Sequence, residues 1–483
     1  MSLSRWPKSD RKKRSSGARG ERRLGSNIAI IGGGPAGIFS ALELNRLGKK
    51  NVIMFEKGHD IEKRKSPLKN GFGQCKHCSP CSIVCGWGGA GAYSDGKLTL
   101  TPDFGGFLDE YLSREELDYL IKYVDEIYLS FGADTALYGQ DEQAVKEIQK
   151  RAAAADLKFI PAPIRHLGTD RCREILSRMR SYLENKITIK TLTPVEEILA
   201  DKSRVTGVRA GGRVYPADYV ICGPGREGSA WFYREAARLG LNMTNNPVDI
   251  GLRVEVPADI LEEITDKIYE SKFIYYAPSF DDRVRTFCMN PYGEVVIENN
   301  SGLITVNGHS YAGKKSKNTN FALLVSKTFT EPFKEPIAYG KYIASLANML
   351  GGGVLVQRLG DLLAGRRSTA ERINRGLVKP SLLYATPGDL SLVLPYRHLK
   401  SILEMLEALD KIIPGINSRH TLLYGVEVKF YSFRLNLSKE LETEVKNLFA
   451  VGDGAGITRG LAQASATGIL AARQVARRQE EEQ

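Results

Sequence analysis

The chain has 483 residues, 42% of them hydrophobic and 26% charged, with a formal charge of +12. That length supplies two or three cores. No apolar run approaches a membrane-spanning helix, and no apolar h-region precedes the first strand, so the expectation is a soluble, cytoplasmic protein. Seven cysteines, an odd number, fit thiol or metal chemistry in a reducing compartment better than a disulfide framework.

The charge is unevenly placed. Residues 1–26 hold nine Lys or Arg against Asp10 and Glu21, a local charge of +7 that leaves about +5 for the rest. A polar basic arm without apolar periodicity reads as a disordered, solvated tail. The alternative is contact with nucleic acid or an anionic membrane surface.

The next stretch, NIAIIGGGPAGIFSALELNRLGKKNVIMFE from Asn27 to Glu56, organises the chain. Ile28 to Ile31 reads as a buried parallel strand. A glycine turn (Gly32, Gly33, Gly34) follows, and then a helix from Pro35 and Ala36 that stops at Gly48. Val52 to Phe55 forms a second strand ending in Glu56. This is G-x-G-x-x-G, filled by Gly32, Gly34 and Gly37, in a strand–turn–helix–strand setting. Gly32 permits the tight turn, Gly34 the approach of a pyrophosphate, and Gly37 close packing of helix on strand. The helix N-terminus would receive the diphosphate, and Glu56 a ribose diol.

Residues 70–97 form a long loop rich in glycine and cysteine, too laden with special residues to be filler. Cys75, Cys78, Cys81 and Cys85 have the C-x2-C-x2-C-x3-C spacing of a [4Fe–4S] loop. No Pro follows Cys85 and no second cysteine set exists, so Cys85, His77 or a remote cysteine would complete such a site. Zinc, or unligated redox-active thiols, are the alternatives. Cys172, Cys222 and Cys288 read as packing residues.

Residues 107–156 and 170–185 read as helices, Ile187 to Thr191 as a strand, and Val195 to Cys222 as a small β-meander feeding a main-sheet strand before Gly223. Residues 246–335 are strand-like and 336–350 and 397–410 helical. His166 is either a substrate-facing or a surface histidine, and Arg253 either a cleft or a sheet-surface arginine. Leu448 to Val451 is a buried strand ending in Gly452-Asp453-Gly454, where Asp453 would accept from a polyol. A small-residue helix then starts after Gly460, with Leu461 and Ala462 in its first turn, where its dipole would stabilise negative charge on a reduced flavin.

The two chain ends resemble the glutathione-reductase-type FAD fold. GWGGAGAYSDGKL (86–98), YVICGPGREGSAW (219–231), DIGLRVEVP (249–257) and GDGAGITRGLAQASATG (452–468) narrow this to a resemblance with a family of uncharacterised FAD-dependent dehydrogenases, relatives of geranylgeranyl-reductase-like flavoproteins. The resemblance spans about residues 25–475. It implies FAD, with Gly32, Gly34 and Gly37 at the diphosphate, Glu56 and Lys57 at the adenosine side, Asp453 at the ribityl chain, and Ser94 to Lys97 near the cofactor. Gly33, Pro35, Ala36, Gly223, Gly452, Gly454, Leu461 and Ala462 complete the cofactor set.

The expected fold is α/β: a FAD-binding Rossmann domain with a β-meander, plus a second, sheet-based α+β substrate domain. The expected division is an arm (1–26), a discontinuous FAD domain (27–100, 165–245, 421–483), a helical insertion (101–164) and a substrate domain (246–420). No second nicotinamide fingerprint occurs. Electrons would therefore come from NAD(P)H in an open cleft or from a donor protein or metal centre. The expected activity is hydride or electron transfer between FAD and an organic small molecule. An isoprenoid or C=C reductase and a nucleic-acid-binding or RNA-modifying flavoprotein are the rivals. No catalytic residue is assigned.

Overall fold

In the strand Ile28–Ile31 every residue is buried, and a parallel neighbour lies on each side: Tyr219–Cys222 and Val52–Phe55. Strands covered on both faces must be apolar throughout, which is why IAII and YVIC show no alternation. Leu448–Ala450 and Thr188–Lys190 extend this to a five-stranded parallel sheet. These segments lie far apart in sequence, so the two chain ends meet at the carboxyl edge of one sheet. The computed structural model describes residues 27–65, 78–94, 96–201, 203–300, 302–311, 315–329, 333, 335–430 and 433–482. The basic arm, Cys75 and His77 lie outside the described residues.

Small residues let the covering helices approach closely. Helix Pro35–Arg46 packs on helix Leu461–Glu481, and a Cβ added at Gly468 would stand 2.0 Å from the Ala36 carbonyl oxygen. A third helix, Arg114–Ser130, opens on a Ser113–Glu116 capping box. The buried Glu43 ties all three, accepting from Arg46 at 2.8 Å, Arg473 at 2.7 Å and the Tyr123 hydroxyl at 2.9 Å. Burial opposes ionisation of Glu43, but the two arginines outweigh it and hold its carboxyl below the usual range. The three-stranded antiparallel meander Val195–Asp201, Arg204–Ala210, Arg213–Pro216 lies where the sequence expects it.

The second body is an eight-stranded, mostly antiparallel sheet built around Val248–Pro257, whose neighbours are Asn318–Lys327 and Leu422–Lys429. Helices Pro336–Gly351 and Tyr396–Asp410 pack on it, close to the expected limits.

Two expected boundaries need correction. Leu422–Lys429 is not part of the FAD domain that was drawn from 421. All eight of its residues are buried, and it is hydrogen-bonded on both edges within the second sheet. The insertion 101–164 is not purely helical either, because Lys158–Ile160 is the outermost strand of that same sheet, paired with Lys272–Ala277. An edge strand of three residues carries too short a pattern to be read from sequence. Among the described residues, no helix is long and apolar enough to cross a membrane.

Candidate functional site

The glycine turn divides into two packing positions and one open one. Gly32 has φ +101°, and a Cβ there would lie 2.1 Å from the Gly223 oxygen; a Cβ at Gly37 would lie 1.9 Å from the Gly32 oxygen. Either would collide with backbone. At Gly34 the nearest atom to an added Cβ is the Gly89 Cα at 3.9 Å. Gly34 therefore leaves space that the fold itself does not use. No side chain caps the following helix, whose first residue is Pro35, so its N-terminal dipole end stays available to an anion.

Glu56 lies at the end of its strand, as expected, and is already engaged. One carboxylate oxygen accepts from Gly33 N–H at 2.7 Å, the other from Gly58 N–H at 2.8 Å and Gly86 N–H at 2.9 Å. It thereby pins the glycine turn to the start of the Gly86–Gly91 loop. A carboxylate has room for about four acceptor contacts, so a ribose hydroxyl remains possible as a fourth partner.

Sequence reasoning missed Arg64. Its guanidinium is buried and donates to the carbonyls of Ser82, Ile83, Trp87 and Gly89 at 2.7–2.9 Å. Burial lowers its pKa. One cation thus gathers carbonyls of the loop 82–87 and of Gly89, the first residue of the short 3-10 helix Gly89–Tyr93.

At the far chain end Asp453 follows Leu448–Ala450. It accepts from the Thr458 hydroxyl at 2.7 Å and faces Arg226 at 3.2 Å; burial raises its pKa against the pull of Arg226 and Thr458. The first turn of helix Leu461–Glu481 has no side-chain cap. Beside it the buried Gln463 leaves its Oε1 without a hydrogen-bond partner among the described residues.

These pieces line one cleft of about 1540 Å³ between the parallel sheet and the second sheet. Of the expected cofactor residues, Gly32, Gly34, Pro35, Ala36, Glu56, Lys57, Ser94, Gly223, Gly452, Asp453, Leu461 and Ala462 face it. Gly33, Gly37 and Gly454 lie behind the lining, where they hold the turns. The volume exceeds the roughly 300–1,000 Å³ of a single small-molecule pocket, so it has room for a dinucleotide and a second molecule.

The opposite wall is charged. Lys97 pairs with Glu270 at 3.0 Å, Glu270 also takes Lys272, and Lys429 lies 3.0 Å from Glu427 and 3.6 Å from Glu298. Burial raises the Glu270 pKa, but Lys272 and Lys97 outweigh it and hold it at about 2. The sequence did carry a signal for this wall. Arg283, Arg285 and Phe287 alternate on one strand, so they share a face, and all three line the cleft.

Three expectations change. Arg253 is neither a cleft nor a surface residue: it is buried in the central strand and bidentate to Glu427 at 2.7 and 3.0 Å. Cys288 is not simply core; it is half-buried, has φ +45° and lines the cleft, unlike the buried Cys172 and Cys222. His166 lies on a short strand behind the cleft lining, with its Nε2 2.9 Å from the Tyr269 hydroxyl, which in turn meets Ser310 at 2.8 Å.

In the cysteine loop Cys78 is exposed, Cys81 half-buried and Cys85 buried, and burial pushes the Cys85 thiol up to about 12. The backbone turns between them, with Cys85 N–H donating to Cys81 O at 2.9 Å. Cys75 lies outside the described residues, among which no cluster of three metal-binding side chains occurs.

Residues 247–430 match the family model described as "FAD-dependent protein, C-terminal domain-like", and residues 385–483 match that described as "Glucose inhibited division protein A". An uncharacterised protein of Clostridium beijerinckii is 26% identical over 481 residues, covering 94% of this chain and 82% of its own. Similar solved structures include a geranylgeranyl bacteriochlorophyll reductase-like protein from Thermoplasma acidophilum, at 11% identity and TM-score 0.41, covering 95% of this chain and 79% of that one. L-proline dehydrogenase from P. horikoshii is another, at 11% identity and TM-score 0.40, covering 94% of each chain. At these scores the two structural likenesses carry no argument about chemistry. The second sheet is thus similar to the C-terminal domain of FAD-dependent proteins, and it closes a cleft whose other wall has the dinucleotide-binding strand order and glycine turn.

Proposed function

We propose that the chain is a FAD-dependent oxidoreductase that exchanges hydride or electrons with an organic molecule held between the two sheets. The observation that carries this reading is the convergence of Gly34, Glu56 and Asp453, from opposite chain ends, on one cleft roofed by the domain of the FAD-dependent family model. The residues present suit the group. The open space at Gly34 and the uncapped helix fit a diphosphate, Glu56 a ribose, and Asp453 a polyol chain. Bound there, FAD supplies the redox chemistry. The chain's own residues orient it, and the uncapped first turn after Gly460 offers a positive dipole end. Lys97, held by Glu270 and the Met289 carbonyl, presents a fixed ammonium to the cleft.

The wall of Lys272, Arg283, Arg285 and Lys429 favours this reading over an isoprenoid reductase, which needs an apolar tunnel. Free Cys78, Cys81 and Cys85 suit a reducing, cytoplasmic setting. A [4Fe–4S] cluster as electron donor rests on the cysteine spacing alone. Denaturing the purified protein and identifying the released chromophore tests the proposal. FAD is the expected result; FMN, a nicotinamide alone or no chromophore overturns it.

A further inference from the structure

Phe287 lines the cleft from the second sheet, and three cations crowd its ring. Lys272 Nζ is 4.8 Å from the ring centroid, the Arg285 guanidinium carbon 4.6 Å and Lys429 Nζ 5.8 Å. Each cation is held by a carboxylate. Arg285 is held by Asp249, Lys429 by Glu427, and Lys272 by Glu270. Asp249 and Glu427 have no exposure at all and lie behind the lining, whereas Glu270 and Glu298 line the cleft beside the cations.

The charges do not balance. Lys97, Lys272, Arg283, Arg285 and Lys429 line the cleft with Glu270 and Glu298, and behind them Arg253 lies among Asp249 and Glu427, leaving an excess of two positive charges. Glu427 is shared between Arg253 and Lys429, and Glu270 between Lys97 and Lys272. Arg283 is exposed at the cleft and has no hydrogen-bond or ion-pair partner among the described residues. Lys429, Arg226 and His309 hold Glu298 below its ordinary pKa against the opposing effect of burial. Five cations line the cleft here against the two carboxylates Glu270 and Glu298, and a partly closed cleft with such an excess concentrates anionic ligands.

We propose that this wall is the substrate's receptor and that the substrate is an organic carboxylate, its charged group received by Lys272, Arg285 and Lys429 over the face of Phe287. This deepens the oxidoreductase reading and rests on it for the word substrate; the anion site itself stands on the wall alone. A carboxylate there is fixed by charge-assisted hydrogen bonds, which leaves the rest of the molecule facing the glycine-turn side of the cleft.

Calorimetric titration of the full-length protein with succinate, succinamide and NADP+ tests it, with flavin content measured on the same samples. Succinate is expected to bind and its neutral amide not to. Lys272→Met and Lys429→Met should each weaken succinate about tenfold or more, the loss expected for one charge-assisted contact. These variants are chosen because Glu270 keeps Lys97 and Glu427 keeps Arg253, while Glu298, the other partner of Lys429, keeps the Asn307 amide donor at 3.1 Å. Arg283→Glu, at an exposed position, should weaken binding and flatten its salt dependence without touching the core. Equal binding of succinate and succinamide, binding of NADP+ but not succinate, or unchanged affinity in all three variants overturns the proposal. Calorimetry reads the anion whatever chromophore is present, so its failure is distinct from absence of FAD.

Discussion

At the residue scale, the three fingerprint glycines separate by what surrounds them. Gly32 and Gly37 each face a backbone oxygen at about 2 Å from an added Cβ, whereas Gly34 faces nothing closer than 3.9 Å and keeps an ordinary φ of −82°. Gly34→Val should therefore alter stability by no more than about 1 kcal/mol, because its backbone conformation suits any residue. It should nonetheless abolish dinucleotide binding, since the branched side chain occupies the open space. Gly37→Val should cost about 3 kcal/mol or more through collision with the Gly32 carbonyl. Flavin content and urea unfolding of the two variants separate the roles: loss of flavin with loss of stability in Gly34→Val would mean that Gly34 is a packing glycine.

At the scale of elements, the segment 78–94 is gathered by Arg64 more than by any other one side chain, with Glu56 and Trp87 adding single ties. Strands and helices satisfy their own backbone groups, but this segment turns irregularly and offers four carbonyls to Arg64. Arg64→Met removes all four charge-assisted bonds at once. We expect a loss on the order of 3 kcal/mol and protease sensitivity within 78–94. Cleavage unchanged from the parent would show that the segment holds its shape without the guanidinium. The same segment carries Cys78, Cys81 and Cys85. If they share a metal cluster with Cys75, anaerobically prepared protein contains iron and acid-labile sulfide that disappear in Cys81→Ser while flavin remains. Metal-free protein with titratable thiols in the loop removes the cluster.

Across the whole molecule, acid should act on the second body through three depressed pKa values. His398 is driven down to about 4 by burial, aided by Lys327 and Arg397 and opposed by Asp282, and neither ring nitrogen has a hydrogen-bond partner among the described residues. Glu270 and Asp282 both lie at about 2; burial opposes this in each, but Lys272 and Lys97, and Arg397 and Lys327, outweigh it. A group titrating lower in the folded than in the unfolded protein binds fewer protons when folded, so its contribution is full above the unfolded pKa and lost as pH falls. His398 acts between its ordinary 6.5 and about 4, and the carboxylates act from about 4.5 and 3.8 down to about 2. Thermal unfolding should show a shallow loss below pH 6.5 and a steeper one below 4.5. His398→Leu should remove the shallow part and, by sparing two unpaired buried nitrogens, raise stability by about 1 kcal/mol at pH 5. A pH profile identical to the parent would refute the assignment to His398.

What the sequence by itself determined was local. A buried parallel strand, a glycine turn and a helix start are encoded by residues within ten positions of one another, so IAIIGGGPAG and LFAVGDG could be read without a fold. The meander and the helices at 336–350 and 397–410 were legible for the same reason, because turn residues and apolar periodicity are short-range signals. Tertiary structure decided what depends on distant partners. Leu422–Lys429 belongs to the second sheet because Val248–Pro257 offers it an edge, and nothing within LLYGVEVK records that. Arg253 is buried because Glu427, 174 residues away, neutralises it there. The cationic wall exists only once Lys97, Lys272, Arg285 and Lys429 are brought to one cleft, with Asp249 and Glu427 folded behind them. Local sequence specifies backbone conformation, but long-range pairing sets which charges end up buried, compensated or left facing a ligand.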